Sequence, residues 1–423
     1  MHNHYKKLSH LPPAERRQHI PIEFCETQDD WDYMCTLFES KAFQDDMVRL
    51  RVECIQTQNP EEAINVVEIV DTVCDQVRDT RNCPPPASAC SSREFAPKQG
   101  TSEEMANVVC VTGGSGFIGS WLVRLLLDRG YTVQATVMRL GDEAETAHLR
   151  SLPGASNRLR LFQIDLLDPD SILTAIRGVS GVFHLASPCI ITRVQDPQRE
   201  LLDPAVTGTL NVLRAAKESG VRRVVVTSST SAIVPSPGWP ADRVKDESCW
   251  TDLDYCRQKE LWYPASKTMA EKAAWEFANE NRLDVVVVNP GTVLGPIIPP
   301  TINSSMTVLV QLLEGCEEEH PDLYMGSVHV KDVALAHILA YENPLASGRH
   351  LCVESISHWS DFASKLAELY PEYKVPRFPK DTQPGLLRVQ NPAKKLIELG
   401  LQFSSMEQII KDSVEDLKRK GYV

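Results

Sequence analysis

Long apolar runs are missing from this sequence. The most apolar stretch, Val285 to Val288, closes at Asn289 and Pro290 after one strand's length, far short of the roughly 20 residues that span a bilayer. The first twenty residues are polar and interrupted by Pro12 and Pro13, without the apolar core of a secretory leader. An excess of positive charge is missing too. With 44 Lys and Arg against 57 Asp and Glu, the net charge is -13, which argues against a surface that displaces counterions from nucleic acid or binds anionic lipid. Ordered cysteine spacing is the third absence: twelve cysteines are scattered with no C-x-x-C pair, so free thiols are expected rather than a disulfide framework. Cys249 and Cys256 flank a Trp-rich loop, and a bridge between them is the alternative. These absences lead to the expectation of a cytoplasmic protein, monomeric or homodimeric, with no nucleic acid, membrane or metal partner.

What is present is enough apolar content, 42% of 423 residues, for one large α/β domain with an addition or for two ordinary domains. Composition changes near residue 105. Before it come Pro84-Pro85-Pro86, a Ser-rich stretch and a polar segment, which read as a linker over 83–105. Upstream, Ile64, Val67, Val70, Val73 and Val77 recur at helical spacing, so residues 1–82 are read as an extension, helical or weakly ordered. From residue 107 onward, short β-branched runs alternate with helical stretches, the pattern of a parallel sheet covered by helices on both faces. Strands are expected at 108–111, 132–137, 160–164, 181–184, 223–227 and 284–288. Six such strands suit a doubly wound α/β sheet of the Rossmann type over 106–290, with 291–423 left mainly to bind substrate.

The first strand runs into Thr112-Gly113-Gly114-Ser115-Gly116-Phe117-Ile118-Gly119 and then an apolar helix. Gly113 permits a tight turn, Gly116 lets backbone amides approach a pyrophosphate, and Gly119 lets the helix pack on the sheet. The helix N-terminus then faces the phosphates. At the end of the second strand, Arg139 stands with no carboxylate before Asp142, which favours the 2'-phosphate of NADP over NAD. Asp165-Leu166 after the third strand is placed to meet an adenine, or Asp165 simply caps a turn.

Tyr263-Pro264-Ala265-Ser266-Lys267 opens a long amphipathic helix, with Tyr263 and Lys267 on one face. An ammonium beside a phenol lowers its pKa from near 10 toward neutrality. Ser229 ends the fifth strand and is the group expected to polarise a carbonyl, with Ser228 in reserve. In the reaction that this order implies, hydride passes to a carbonyl carbon, Tyr263 gives a proton to oxygen, Ser229 steadies the alkoxide, and Lys267 restores the tyrosine proton through the ribose. An epimerase or dehydratase acting on a nucleotide sugar would need further acid and base groups, and Thr230-Ser231-Ala232 carries no carboxylate. A regulatory protein that binds NADPH without turnover would need neither Tyr263 nor Lys267.

These residues resemble a known family. The turn with its flanks from Val111 to Val123, the block Gly181-Val182-Phe183-His184-Leu185-Ala186-Ser187-Pro188, the run from Lys267 to Trp275 and Val328-His329-Val330-Lys331-Asp332-Val333-Ala334 are similar to plant dihydroflavonol reductases and cinnamoyl-CoA reductases, extended short-chain dehydrogenases, over residues 107–420. The resemblance implies Ser229, Tyr263 and Lys267 as the catalytic trio. It implies NADP near Gly113, Gly116, Phe117, Ile118, Asp165, Leu166, Lys267, Pro290 and Val293, and Gly119, Arg139, Ala186, Ser187 and Tyr263 complete the expected cofactor site. It also implies a small aromatic carbonyl substrate of phenylpropanoid-type metabolism: an aldehyde, a ketone or a hydroxycinnamoyl-CoA thioester.

There are three departures. Met138 stands where many members carry a basic residue. Leu261-Trp262-Tyr263-Pro264-Ala265-Ser266-Lys267 replaces the Asn-Trp-Tyr-Cys-Tyr-Gly-Lys of cinnamoyl-CoA reductases, and Val234 takes the place of the flavonoid-binding Asn. The chain thus looks nearest to the cinnamoyl-CoA reductase-like group, which includes phenylacetaldehyde reductases. Trp239, Pro240, Trp250 and Tyr255 form a loop whose rings either stack on a phenyl group or pack. Upstream, Trp31 to Gln44 resembles a segment of plant transposon-encoded proteins; an extension with no catalytic role is the alternative.

Overall fold

The computed structural model describes residues 108–189, 194–240, 243–315, 324–376 and 389–423. The extension at 1–82, its expected helices and the linker at 83–105 lie outside the described residues. In the described part the six expected strands form, five of them from largely buried runs and one, Leu159–Gln163, as a partly exposed edge strand. These are β1 (Val108–Thr112), β2 (Thr132–Val137), β3 (Leu159–Gln163), β4 (Gly181–His184), β5 (Arg223–Thr227) and β6 (Val285–Pro290). The expected positions hold to within two residues at either end. Strands buried on both faces read as continuous apolar runs, as in Val285-Val286-Val287-Val288.

The sheet has a seventh strand. Its order is β3-β2-β1-β4-β5-β6-β9, where β9 is Gly348–Cys352, and every neighbouring pair runs parallel. The order reverses between β1 and β4, and in an open α/β sheet the crevice for a ligand lies at the carboxyl ends of the strands at such a reversal.

Helices cover both faces. On one, α1 (Phe117–Asp128) and α2 (Glu143–Arg150), with α8 (Val330–Glu342), bury Leu122, Leu126, Leu149, Val333 and Ile338 against Val109, Val111 and Val286. On the other, α3 (Pro169–Ile176), α4 (Asp203–Glu218) and α6 (Trp262–Asn281) bury Ile172, Leu213 and Ala274 against Cys110, Val182 and Val224. A short helix, α5 (Leu253–Gln258), precedes α6 and is capped by Asp252, whose side chain accepts from the amides of Asp254 and Tyr255.

A second sheet stands after β6. Its order is β11-β10-β8-β7, from Val389–Gln390, Ser355–His358, Tyr324–His329 and Thr292–Leu294. Helices α7 (Ser304–Glu314), α9 (Trp359–Leu369) and α10 (Met406–Lys420) pack on it through Met306, Leu309, Phe362, Ile409 and Val414.

Candidate active site

Glycine is required at two points of the β1–α1 turn. Gly113 has a φ of +68°, where L side chains are strained, and a Cβ there would stand 3.0 Å from the Ala186 backbone. A Cβ on Gly119 would lie 2.1 Å from the Gly113 carbonyl oxygen, so only glycine lets α1 cross the turn this closely. Gly116 is the N-cap of α1 and supplies no side-chain cap, and the first turn holds no acidic residue. The opening amides of α1, at Phe117 and Ile118, are therefore left to a ligand, which makes an anion cradle. The Thr112 hydroxyl accepts from the amides of Leu185 and Ala186 at 3.1 Å and meets His184 Nδ1 at 2.9 Å, so β1 and β4 are pinned together at the reversal point. This turn fits a pyrophosphate on the geometry of the chain itself.

At the end of β2, Arg139 is exposed and already engaged. Its guanidinium pairs with Asp142 at 3.0 Å and Glu145 at 3.2 Å, while the second Glu145 oxygen accepts from the amides of Met138 and Arg139 at 2.9 and 3.1 Å. The sequence reading counted Asp142 and overlooked Glu145, which α2 carries back to this strand end. Asp165 accepts from the Leu167 amide at 2.9 Å, the turn-capping geometry that was the alternative to an adenine contact. The Leu166 side chain packs against Gly208, and its carbonyl accepts from Asn211 at 3.0 Å. Pro290 ends β6, and Val293 is buried in β7.

Ser229 follows β5, where its hydroxyl accepts from the Ser231 amide at 3.0 Å and caps the single turn Thr230–Ala232. The same hydroxyl forms a hydrogen bond with the Tyr263 phenol. The phenol also meets the Cys189 thiol at 3.9 Å. Ser228 is committed elsewhere, donating to Glu271 at 2.5 Å. Tyr263 lies in the first turn of α6, and the ammonium of Lys267, one turn on, is 5.7 Å from the centre of its ring.

Lys267 is only 8% exposed. Among the described residues its ammonium has no hydrogen bond or ion pair, and burial pushes its pKa down while Cys189 and Glu271 hold it up.

One expectation is corrected here. Burial drives the Tyr263 phenol well above its ordinary value of 10, Cys189 adds to the rise, and the Ser229 hydrogen bond only partly offsets it. The Lys267 ammonium, 5.7 Å from the ring centre, is not among the groups that lower the phenol's pKa, and desolvation of the phenolate dominates.

Two features of the site escaped the sequence reading. Cys189 is exposed, and its one signal was its position just after the Ala186-Ser187-Pro188 block. Glu271 lies one turn beyond Lys267 and is buried; Arg349 of β9 donates to it at 2.5 Å and Asn289 at 2.9 Å. An acid at i+4 from Lys267 was visible, but its cation is 78 residues away.

The loop aromatics mostly pack. Trp250 lies under the Arg349 guanidinium at 3.8 Å and beside Lys272, and Trp239 lies under Arg243, which are cation–π contacts. Cys249 and Cys256 are free and sit in separate clusters of the core. Among the described residues no group of three or more His, Cys, Asp or Glu is arranged to hold a metal.

A glycine cradle at the reversal of a parallel sheet, with a half-buried tyrosine and a buried lysine one helical turn apart, defines a dinucleotide-dependent enzyme of the extended short-chain dehydrogenase class. The chain belongs to the NAD dependent epimerase/dehydratase family, whose model matches residues 109–353. It is 47% identical over 325 residues to a cinnamoyl-CoA reductase of Medicago truncatula, covering 76% of this chain and 99% of that protein. Among solved structures it is similar to vestitone reductase of alfalfa, with a TM-score of 0.65, 36% identity, and 75% of this chain and 99% of that one covered. A yeast methylglyoxal/isovaleraldehyde reductase complexed with NADPH matches with a TM-score of 0.64 and 28% identity over 75% of this chain and all of that one.

Proposed function

We infer that this protein is an NADP-dependent reductase that transfers hydride to the carbonyl carbon of a small aromatic aldehyde, ketone or hydroxycinnamoyl-CoA thioester in phenylpropanoid-type metabolism. The observation that carries the reading is the half-buried Tyr263 beside the buried Lys267 and next to Ser229, at the strand ends. The relatives support it, since one is a cinnamoyl-CoA reductase and another, complexed with NADPH, reduces methylglyoxal and isovaleraldehyde.

The cofactor supplies the hydride; the remaining steps belong to this chain. The amides of Phe117 and Ile118, with Gly113, Gly116 and Gly119 clearing the approach, would hold its pyrophosphate, and Arg139 would take the 2'-phosphate on exchanging its pairing with Asp142 and Glu145. Ala186, Ser187, Pro290 and Val293 would line the crevice that takes the cofactor, Asp165 and Leu166 would lie toward its adenine end, and Lys267 would hold the ribose. Tyr263 donates its proton to the carbonyl oxygen, and Ser229 hydrogen-bonds the developing alkoxide. A phenol kept fully protonated by burial is always ready as the acid, and Lys267 stabilises the phenolate left behind.

Residues 106–290 then form the cofactor-binding and catalytic part, and 291–423 mainly the substrate-binding part. No helix of the described residues is long and apolar enough to cross a membrane. The test is loss of NADPH absorbance with cinnamaldehyde, phenylacetaldehyde, feruloyl-CoA and a dihydroflavonol in turn. Turnover of at least one is expected; tight NADPH binding with no oxidation in any would replace the reading with a regulatory cofactor-binding role.

A further inference from the structure

Behind Lys267 lies a cavity of about 10 Å³, counted as space open to a water's centre. Its polar lining is Lys267 and Glu271 from α6, Thr227 at the end of β5 with Ser228 just after it, His184 at the end of β4 with Ser187 beyond it, and Thr209 from α4. That volume admits one water, and several polar partners are within its walls. Glu271 is 1% exposed and accepts from Arg349 Nε at 2.5 Å, Ser228 Oγ at 2.5 Å, Asn289 Nδ2 at 2.9 Å and Trp275 Nε1 at 3.4 Å. Lys267 and Glu271 are four residues apart on one helix and so share a face.

Taking the reading of Lys267 above as its basis, we propose that Glu271 is a positioning residue, which through one water in this cavity holds the Lys267 ammonium in place beneath Tyr263. Stability alone does not account for the arrangement, because a buried ion pair is often replaceable by apolar residues of similar size without loss. A carboxylate built into place by four donors, with a water-sized space between it and an ammonium that has no other ion-pair partner among the described residues, matches the needs of a lysine that must stay charged and fixed. The other groups that face Lys267 are Cys189, which also favours its charge, Tyr263 on its own helix, and His184, which stays neutral by burial. Arg349 faces it only from behind Glu271.

The experiment is the pH profile of kcat for the full chain, with NADPH titrated by fluorescence to establish that each variant is folded and binds. Removing the carboxylate charge makes protonated Lys267 harder to keep, so the alkaline limb of Glu271→Gln is expected to move to lower pH by about half a unit or more. Glu271→Asp, with water filling the gap, is expected to restore most of that shift. Because Glu271→Gln strands the Arg349 charge and risks misfolding, the apolar double variant Glu271→Met with Arg349→Met gives the same readout in a neutral core. An alkaline limb at the wild-type pH in these variants, with the rate lowered evenly across pH, would reduce Glu271 to a structural role. Lys267→Met separates the two readings. If it turns over like the wild type, the assignment of Lys267 fails; if it is inactive while the pair variants keep the wild-type limb, only the role of Glu271 fails.

Discussion

At the scale of the residue, Tyr263 shows two effects in competition. Burial favours its neutral form, and the Ser229 hydrogen bond favours the phenolate. For reduction, the neutral form is the one needed at the start, so desolvation works with the chemistry. Tyr263→Phe removes the proton and leaves the ring packing, so cofactor affinity is expected to stay nearly intact while turnover falls by at least about a hundredfold, the scale of a lost general acid. Steady-state kinetics beside a fluorescence titration of NADPH measures both, and an unchanged turnover number would take Tyr263 out of the mechanism. Arg139 shows why a charge read from sequence is incomplete. Its sign, its place at the end of β2 and the nearby Asp142 were legible, but Glu145, which shares its guanidinium, comes from a helix folded back over it.

At the scale of the element, legibility followed the period of the apolar pattern. The six strands that read as short apolar runs, most of them rich in Val, were visible, whereas β9 was not, because its Gly-Arg-His-Leu-Cys sequence places Arg349 and His350 in a buried strand. Both are tolerated there for tertiary reasons, Arg349 by Glu271 and the carbonyls of Ala232, Glu247 and Cys249, which no local pattern announces. The short strands of the second sheet, Tyr-Met-Gly-Ser-Val-His and Ser-Ile-Ser-His, are likewise too polar to stand out.

The glycine turn was legible because its constraint is local and severe. Gly119→Ala would press a Cβ to 2.1 Å from the Gly113 carbonyl oxygen, and backbone cannot swing aside as a flexible side chain can. A loss of about 1–3 kcal/mol of stability is expected from overpacking, together with at least roughly tenfold weaker NADPH binding as the α1 amides are displaced. Thermal melting and cofactor titration check this. A melting point and affinity equal to the wild type would show that the turn relaxes without cost.

At the scale of the whole molecule, the buried histidines give the fold a dependence on acid. Burial pushes His184 down to about 3 and His337 to about 4, from an ordinary 6.5, and it also lowers His148, His329 and His350. In each case the folded state keeps the imidazole neutral and the unfolded chain protonates it below about 6.5. Between that value and the folded one the unfolded state binds more protons, so this stability is complete above about pH 6.5 and drains away as pH falls toward 4. Each proton that titrates fully costs about 1.4 kcal/mol per pH unit. His337 is the cleanest member to remove, because it lies on α8, meeting Thr227 Oγ1 at 2.6 Å and the Val333 carbonyl at 2.7 Å, and burial and the Val333 hydrogen bond alone move its pKa among the described residues. His337→Gln keeps polar contact to these partners and cannot titrate. Urea unfolding at a series of pH values is therefore expected to show the slope of stability against pH between 4 and 6 reduced by close to one proton in that variant. An identical slope in the two proteins would mean that His337 is already neutral in the unfolded chain or charged in the folded one, and that the acid sensitivity of the fold lies elsewhere.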